Sequence, residues 1–226
     1  MHFVAIVPLR LGVKLSLQKV RSTFMRIIAG AYRGLHLKTL KGDRLRPTSD
    51  QLRKTLFDVL GASTGGSRFL DAYAGSGAVG IEALSRGAKW VAFMEHHRPA
   101  VELIRKNLKA LEIEDGFEIL PMAASTALER LAQEDPPFDF VFLDPPYAGI
   151  NEYHHFLRML ARSSLLHATS QVIAEHSRHC LLEERYGPLT RTRLLRHGDS
   201  QLAFYRLRAG GVQQAGNPPQ QGDQPA

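Results

Sequence analysis

The sequence predicts a doubly wound α/β fold, in which helices cover both faces of a mostly parallel β-sheet. Three observations predict it. Short apolar runs alternate with helical segments through the middle of the chain, a glycine-rich loop follows the first of these runs, and two further runs near the end form an antiparallel hairpin. Five parallel strands and the two strands of the hairpin together make a seven-stranded sheet.

The individual elements follow from the spacing of apolar residues, which differs between strands and helices. Parallel strands are predicted at residues 68–73, 90–95, 117–120, 138–143 and 171–175. The intervening helices are predicted at residues 78–86, 99–111, 126–133 and 152–161. The C-terminal hairpin is predicted at residues 190–196 and 201–207.

The segment before this alternation predicts a small β-hairpin and one helix. Residues 26–29 and 35–40 are predicted strands around a short turn. Thr48 is followed three residues later by Gln51, which is the pattern of a capping box at the start of a helix. The apolar residues that follow recur at helical spacing until Gly61, which ends the predicted helix.

These elements divide the chain into four parts. Residues 1–24 are predicted to be an unstructured extension, because they show no sustained hydrophobic period. Residues 25–62 form a small basic element, and residues 63–208 form the α/β domain. Residues 209–226 are rich in Gly, Pro and Gln and are predicted to be a disordered tail.

The net charge of the 226-residue chain is +7, and it is unevenly distributed. Residues 1–60 contain twelve Lys and Arg residues against three Asp residues, a balance of +9 that leaves −2 for residues 61–226. A basic arm on a near-neutral body suits a polyanionic partner such as a nucleic acid. A merely solvated basic surface would have the same composition.

Other features of the composition predict a cytoplasmic protein without a metal site. The single cysteine, Cys180, excludes an intramolecular disulfide and is typical of a reducing compartment. No run approaches the roughly 18 uninterrupted apolar residues of a membrane span. His176, His179 and Cys180 lie close in sequence but lack a second ligand pair at a zinc-like spacing, so no metal is predicted.

A glycine loop joins the first predicted strand to the helix after it, in the sequence Asp71-Ala72-Tyr-Ala-Gly75-Ser76-Gly77. Glycine lets the backbone bend tightly and approach a ligand closely. Glu95 ends the next strand, where a carboxylate suits the two hydroxyls of a ribose. The same spacing also fits the dinucleotide fingerprint of nicotinamide enzymes. Asp71 favours a cationic amino-acid ligand over a pyrophosphate, and a tight turn without a ligand is the third interpretation.

A second motif, Asp144-Pro145-Pro146-Tyr147, ends the apolar run at residues 138–143. Two consecutive prolines fix φ and remove two backbone donors, so carbonyl groups can face a pocket without competing N–H groups. The Asp144 carboxylate and the Pro145 carbonyl can both accept hydrogen bonds from an amino group. Tyr147 offers a flat face for stacking a base, an interaction worth about 1–3 kcal/mol.

This arrangement of acceptors indicates methylation of an exocyclic amine. Such an amine is a poor nucleophile, because its lone pair is delocalised into the base. Acceptors that hold both hydrogens out of the ring plane favour a tetrahedral nitrogen with an available lone pair. Positioning and electrostatics then provide most of the catalysis, and no strong general base is needed before attack.

The two motifs together resemble the class I, Rossmann-like methyltransferases that modify base amino groups. Two further segments make the resemblance more specific, namely Arg26-Ile-Ile-Ala-Gly and Leu45-Arg-Pro-Thr48 with the Arg53-Lys-Thr-Leu-Phe57 that follows. With them, the chain resembles the RsmD family of bacterial 16S rRNA guanine-N2 methyltransferases from about Arg26 to Arg208.

The resemblance implies a cofactor, a substrate and the residues that bind them. S-adenosyl-L-methionine is expected at the glycine loop and the strand ends beside it, which comprise Asp71, Ala72, Gly75, Ser76, Gly77, Glu95, His96 and Ala123. The target guanine is expected at the catalytic residues Asp144, Pro145, Pro146 and Tyr147. Ribosomal RNA, free or in the small ribosomal subunit, is expected at Arg33, Arg46, Thr48 and Arg53.

Two departures from the family leave alternatives open. Tyr147 stands where RsmD proteins often have Phe, and tyrosine is also usual in adenine-N6 DNA methyltransferases. Ala123 lies where the family often has Asp or Asn to contact the adenine ring, so backbone and apolar contacts would hold the ring here. Adenine-N6 methylation of DNA is therefore the alternative reaction. A non-catalytic RNA-binding protein with the same fold is the alternative outside this class.

Overall fold

The computed structural model describes residues 24–39, 49–145 and 149–208, and it has the α/β architecture that the sequence predicts. The strands are β1 (Phe24–Arg26), β2 (His36–Lys38), β3 (Arg68–Ala72), β4 (Trp90–Met94), β5 (Phe117–Leu120), β6 (Phe138–Leu143), β7 (Leu166–Ser177), β8 (Arg185–Tyr186), β9 (Leu189–His197) and β10 (Ser200–Leu207). The helices are α1 (Asp50–Leu60), α2 (Ala78–Ser85), α3 (Arg98–Ala110), α4 (Ala124–Glu134) and α5 (Ile150–Arg162), and a 3-10 turn covers Gly61–Thr64.

Strands β3 to β10 form one sheet in the order β5-β4-β3-β6-β7-β10-β9-β8. The first five are parallel, and the last three are antiparallel. The order reverses between β3 and β6, and a crevice opens at such a switch point in doubly wound sheets. The sheet has one strand more than predicted, because the two residues of β8 are too few to show a hydrophobic period.

Helices cover both faces of the sheet because their apolar residues form one stripe. In α5, for example, Tyr153, Phe156, Leu157 and Leu160 are buried, at the spacing of one helix face. Helices α1, α2 and α3 pack in the core of one face, and α4 and α5 in the core of the other. No helix within the described residues is long and apolar enough to cross a membrane.

The small N-terminal hairpin of β1 and β2 is part of the same core. Met25, Ile27 and Leu37 are buried in one cluster with the helices α1 to α3. Both carboxylate oxygens of Glu82 on α2 accept backbone N–H groups of the segment that follows β1, at 2.8 and 3.0 Å. The basic element is therefore fixed to the domain by burial and by hydrogen bonds.

The start of α1 differs from the prediction. Ser49 is the N-cap residue, and its side chain accepts a hydrogen bond from the backbone N–H of Leu52 at 3.1 Å. Gln51 is then the second helical residue, so the capping box expected with Thr48 is wrong, and Thr48 itself lies outside the described residues. Gly61 ends the helix with a φ of 59°, as predicted.

Strand β7 is longer than predicted. It covers Leu166–Ser177, where residues 171–175 were expected. Polar residues in its first half hide the apolar alternation, and pairing with β6 on one side and β10 on the other extends the strand.

Candidate active site

The register of the parallel strands brings the predicted motifs to one edge of the sheet. Ala72 of β3 pairs with Met94 of β4 on one side and with Leu143 of β6 on the other. The residues that follow, Tyr73, Glu95 and Asp144, therefore lie along the carboxyl ends of three adjacent strands. We call this side of the sheet the catalytic edge, because the catalytic residues are predicted there. It includes the switch point between β3 and β6, where doubly wound sheets bind their ligands.

The glycine loop needs glycine at two positions for different reasons. Gly75 has a φ of 57°, and a Cβ built there would point into open space. Gly77 has a φ of 77° at the start of α2, and a Cβ there would lie 3.2 Å from Ile104. Backbone at Gly75 is therefore exposed to the crevice without a side chain in the way, which suits close approach by a ligand.

The third glycine of the apparent dinucleotide fingerprint has a packing role. A Cβ on Gly80 would lie 2.3 Å from the Phe93 ring, so glycine is required for α2 to pack against β4. This contact explains the glycine without a pyrophosphate.

Glu95 holds the glycine loop with its carboxylate. Its Oε2 atom accepts the backbone N–H of Gly75 at 2.9 Å, and its Oε1 atom accepts that of His97 at 2.7 Å. The residue is 8% exposed. Each carboxylate oxygen has a further lone pair, so the side chain can still accept hydroxyl groups of a ribose. The exposed His96 side chain places Nδ1 3.8 Å from Oε1 of Glu95.

Asp71 is placed differently from the expectation that it meets the ligand's amino group. Its carboxylate is 2% exposed, and Oδ2 accepts the backbone N–H of Gly80 at 2.8 Å. Burial raises the pKa of the Asp71 carboxyl to about 8; the hydrogen bond from Gly80 opposes this, and the charge of Glu95 adds to it. Asp71 therefore stabilises the glycine loop from the core side, because its carboxylate accepts a hydrogen bond from the first turn of α2. Ala72, the last residue of β3, is fully buried.

Tyr73 is a site residue that the sequence did not reveal. It has a left-handed φ of 63°, which is unusual for an aromatic residue. Its hydroxyl donates a hydrogen bond to the Glu152 carboxylate, and its ring lies 5.6 Å from that of Phe156. Both partners belong to α5, so Tyr73 ties the glycine loop to the helix that follows Asp144. No sequence pattern marks a residue for this conformation.

Asn107 is a second residue that the sequence did not reveal. Its buried amide group donates to the carbonyl oxygen of Ser76 at 3.0 Å and to that of Lys38 at 3.1 Å. Its Oδ1 atom accepts the backbone N–H of Lys38 at 3.0 Å. One side chain of α3 therefore joins the glycine loop to the N-terminal hairpin. A polar residue on the apolar face of an amphipathic helix was the available signal.

The described part of the second motif lies where the sequence predicts it. Strand β6 ends at Leu143, Asp144 is half-buried beside the crevice, and Pro145 is buried. Burial and then the Asp144 charge raise the pKa of Tyr153. Pro146 and Tyr147 lie outside the described residues, so their placement stays a prediction. Ala123 is exposed at the start of α4, where it provides no side-chain cap.

The structure contradicts the RNA contact expected for Arg53. The side chain is fully buried, and its Nη2 atom donates to the carbonyl of Arg26 at 2.9 Å and to Asp50 at 2.6 Å. Its Nη1 atom lies 3.5 Å from the carbonyl of Ala78, at the start of α2. The guanidinium therefore joins α1, β1 and α2. Its spacing from the buried residues Leu56, Phe57 and Leu60 was a signal for a core-facing position.

Arg33 is exposed but lies at the opposite edge of the sheet. Helix α2 starts at the catalytic edge and ends at Ser85 after a length of eight residues, about 12 Å along the helix axis. The turn that carries Arg33 is attached there, because Ala31 and Tyr32 donate backbone hydrogen bonds to Ser85 at 2.7 and 3.1 Å. Arg33 is therefore remote from Asp144. Arg46, like Thr48, lies outside the described residues.

Comparison with known proteins gives a family for the chain. The family described as "Conserved hypothetical protein 95" matches residues 25–206. The putative rRNA methyltransferase YlbH of Bacillus subtilis is 35% identical over 184 residues, which cover 81% of this chain and 100% of that protein. Ribosomal RNA small subunit methyltransferase D of Haemophilus influenzae is 42% identical over 124 residues, or 54% of this chain and 64% of that protein.

Solved structures share the fold over most of the chain. A putative methyltransferase from Escherichia coli superposes with a TM-score of 0.73 at 28% identity, covering 82% of this chain and 99% of its own. A putative methylase from Haemophilus influenzae has a TM-score of 0.68 at 30% identity, covering 81% and 98%. A putative methyltransferase complexed with SAH has a TM-score of 0.64 at 14% identity, covering 82% and 56%, and shows the fold alone.

Proposed function

Because the chain belongs to the family described as conserved hypothetical protein 95, the RsmD family that its motifs resemble, we propose that it methylates ribosomal RNA with S-adenosyl-L-methionine as methyl donor. The finer proposal is that the acceptor is the N2 amine of a guanine in 16S rRNA. One observation carries the proposal: the glycine loop, Glu95 and Asp144 end three adjacent strands at one edge of the sheet.

The residues at this edge fit S-adenosylmethionine. Glu95 offers carboxylate lone pairs to the ribose hydroxyls, and the open backbone at Gly75 allows close approach of the rest of the molecule. Ser76, Gly77, His96 and Ala123 complete the proposed site along the loop and the neighbouring strand ends. Asp71 and Ala72 contribute through the shape of the loop, since both are buried.

The chain's own residues would position the amine. Bound S-adenosylmethionine supplies an electrophilic methyl group. The Asp144 carboxylate and the Pro145 carbonyl would accept the two amine hydrogens and direct the nitrogen lone pair out of the plane of the base. The proposed stacking of the base on Tyr147 would hold that geometry. Catalysis of this kind is positioning and electrostatics, and it works best where water is excluded.

Two alternatives are kept because a specific feature favours each. Tyr147 is compatible with adenine-N6 methylation of DNA, and the acceptor pair at Asp144 would serve either base. A non-catalytic RNA-binding protein would keep the basic surface and the fold. The names of the relatives, which include rRNA methyltransferases, support the RNA enzyme over both.

One experiment separates these possibilities. The protein is incubated with radiolabelled S-adenosylmethionine and, separately, with a 16S rRNA transcript, small ribosomal subunits from cells that lack this enzyme, tRNA and DNA. We expect label in the 16S rRNA or the subunits, and N2-methylguanosine on nucleoside analysis. Methyladenine in DNA would replace the proposal with the first alternative. Failure to bind the cofactor, measured by calorimetry, would replace it with the second.

A further inference from the structure

The C-terminal segment of the domain, residues 178–208, is a second basic region of the protein and contains the β9–β10 hairpin. Residues 178–208 contain seven arginines against three acidic residues, whereas residues 61–177 contain ten Lys and Arg residues against fifteen acidic ones. The near-neutral charge of the domain is thus the sum of an acidic body and a basic C-terminal segment. An excess of arginine on one element suits an anionic partner.

The tip of this hairpin projects past the catalytic edge. Ala174 of β7 is level with Leu143, the last residue of β6, and Ser177 pairs with Ser200 at the start of β10. The hairpin therefore extends three residues beyond the end of β6, which is about 10 Å at the rise of a β-strand. An RNA strand whose target base enters the crevice at Asp144 would pass this projection.

Arg196 lies on the face of the hairpin that is nearest the Asp144 loop. It pairs with Gln201, which in turn pairs with His176 of β7, so the three side chains share one face. The ring of His176 lies 6.5 Å from that of Tyr153, in the first turns of α5. Strand β9, which carries Arg196, is two strand spacings, or roughly 10 Å, from β7. Strand β7 is the strand that packs against the start of α5.

The guanidinium of Arg196 is available for a ligand. It is exposed, and within the described part of the chain it has no salt bridge or side-chain hydrogen bond. Two other arginines of this region are engaged: Arg178 pairs with Asp199 at 3.2 Å, and Arg191 pairs with Glu184 at 3.1 Å. A β-bulge between Phe204 and Tyr205 shifts the register, which places Arg191 opposite Tyr205.

We propose that the tip of the β9–β10 hairpin, through Arg196, binds a backbone phosphate of the substrate RNA on a nucleotide that flanks the target base. Arginine suits this role, because its guanidinium can donate two parallel hydrogen bonds to a phosphate. The distance from the crevice favours a flanking nucleotide over the target itself. This inference rests on the proposed function, and it adds a contact at the catalytic edge that Arg33 is too distant to make.

The test compares Arg196→Ala with Arg208→Ala. Arg208 is an exposed arginine at the far end of the same hairpin, at the opposite edge of the sheet, and it too lacks a salt bridge among the described residues. Filter binding to an unmodified 16S rRNA transcript is measured over a salt series. We expect Arg196→Ala to weaken binding and to reduce the log–log salt slope by about 0.7–0.9, as for one lost phosphate contact. Arg208→Ala should match the wild type, and Arg196→Lys should restore the slope.

Methylation kinetics then relate the contact to the reaction. The KM for 16S rRNA should rise more in Arg196→Ala than kcat falls, because a phosphate contact contributes mainly uniform binding. The inference would be overturned if Arg196→Ala and the wild type had equal salt slopes of RNA binding. It would also be overturned if Arg196→Ala and Arg208→Ala lost the same RNA affinity. If the wild-type protein methylates 16S rRNA in the same assays, the proposed function stands even when the hairpin contact fails. If it methylates no RNA, the proposed function itself fails.

Discussion

At the scale of single residues, the site contains two carboxylates with different environments. Asp71 is buried under the glycine loop with a raised pKa, whereas Glu95 is fixed by two backbone N–H groups at the border of the crevice. The two carboxylates therefore have different roles. Asp71 supports the loop from the core side, and Glu95 holds the loop and lies where we propose that the ribose binds.

The raised pKa of Asp71 predicts a pH dependence of stability. The folded protein retains this proton up to about pH 8, while an unfolded chain loses it near pH 4. The folded state therefore binds more protons in this window, and stability falls as the pH rises, by up to about 1.4 kcal/mol per pH unit. We expect Asp71→Asn to remove this component, which urea unfolding between pH 5 and 8 measures. Parallel curves for the two proteins would contradict the buried, protonated carboxyl.

Glu95→Ala should weaken the binding of S-adenosylmethionine by about tenfold or more, because the ribose hydroxyls lose a charged acceptor. Calorimetry measures the affinity, and the melting temperature shows whether the loop remains folded. Glu102→Ala, an exposed glutamate of α3, is the matched control. Unchanged affinity in a folded Glu95→Ala variant would remove Glu95 from the cofactor site.

At the scale of elements, hydrogen bonds through single side chains hold the N-terminal hairpin and α5 to the glycine loop. Asn107 attaches the hairpin to the loop, Tyr73 attaches α5 to it, and Glu82 attaches the hairpin to α2, the helix that follows the loop. The elements around the crevice are therefore connected through the loop that binds the cofactor in our proposal.

The packing of the N-terminal hairpin against α2 predicts different losses of unfolding free energy for two glycine substitutions. Gly30 and Gly34 have nearly the same φ, 86° and 87°, but a Cβ on Gly30 would lie 1.7 Å from the Ser85 carbonyl oxygen, while one on Gly34 has nothing within 4 Å. Both alanine variants share the strain of a positive φ. We expect Gly30→Ala to lose about 1–3 kcal/mol more unfolding free energy than Gly34→Ala. Equal losses in urea unfolding would show that the hairpin is not packed against α2.

The contact of Tyr73 with Glu152 can be measured by a double-mutant cycle. Tyr73→Phe removes the hydroxyl but keeps the ring beside Phe156. A hydrogen bond to a charged group contributes about 1.5–3 kcal/mol when buried, and less here because both residues are partly exposed. We expect Tyr73→Phe and Glu152→Ala to be non-additive in unfolding free energy, and Glu152→Gln to be milder. Additive effects would mean that the two side chains do not interact in solution.

At the scale of the whole molecule, the proposed reaction depends on residues that the sheet brings together from distant parts of the chain. Asp71 and Asp144 are separated by 73 residues in sequence, yet their strands are adjacent and in register. The C-terminal hairpin extends the same edge on the other side of Asp144. The crevice is therefore a property of the complete sheet.

Asp144→Ala tests the function of the assembled site. Turnover should fall about a hundredfold or more, because a preorganised acceptor for the amine is lost. Binding of S-adenosylmethionine and of RNA should persist, since the glycine loop and the basic surfaces are intact. Single-turnover methylation and RNA affinity are the two measurements. Near-normal turnover in this variant would end the proposed role of Asp144.

The sequence by itself determined the order and type of the main elements, because apolar periodicity is local and each helix or strand carries its own signal. It also located the glycine loop, Glu95 and Asp144, whose positions at strand ends follow from the same pattern. The start of α1 at Ser49 was missed, because Thr48 and Ser49 are adjacent and both are good N-cap residues.

Only the tertiary structure decided which charged side chains face solvent. Arg53 belongs to the basic N-terminal element, yet its side chain is buried. Its guanidinium donates hydrogen bonds to the carbonyl groups of Arg26 and Ala78, which belong to two other elements. Arg33 is exposed at the opposite edge, so its contact with RNA stays a prediction, and Arg196 reaches the catalytic edge because β10 pairs with β7. Burial, hydrogen-bond partners and distance from the crevice depend on contacts between residues far apart in the chain, and no local pattern records those contacts.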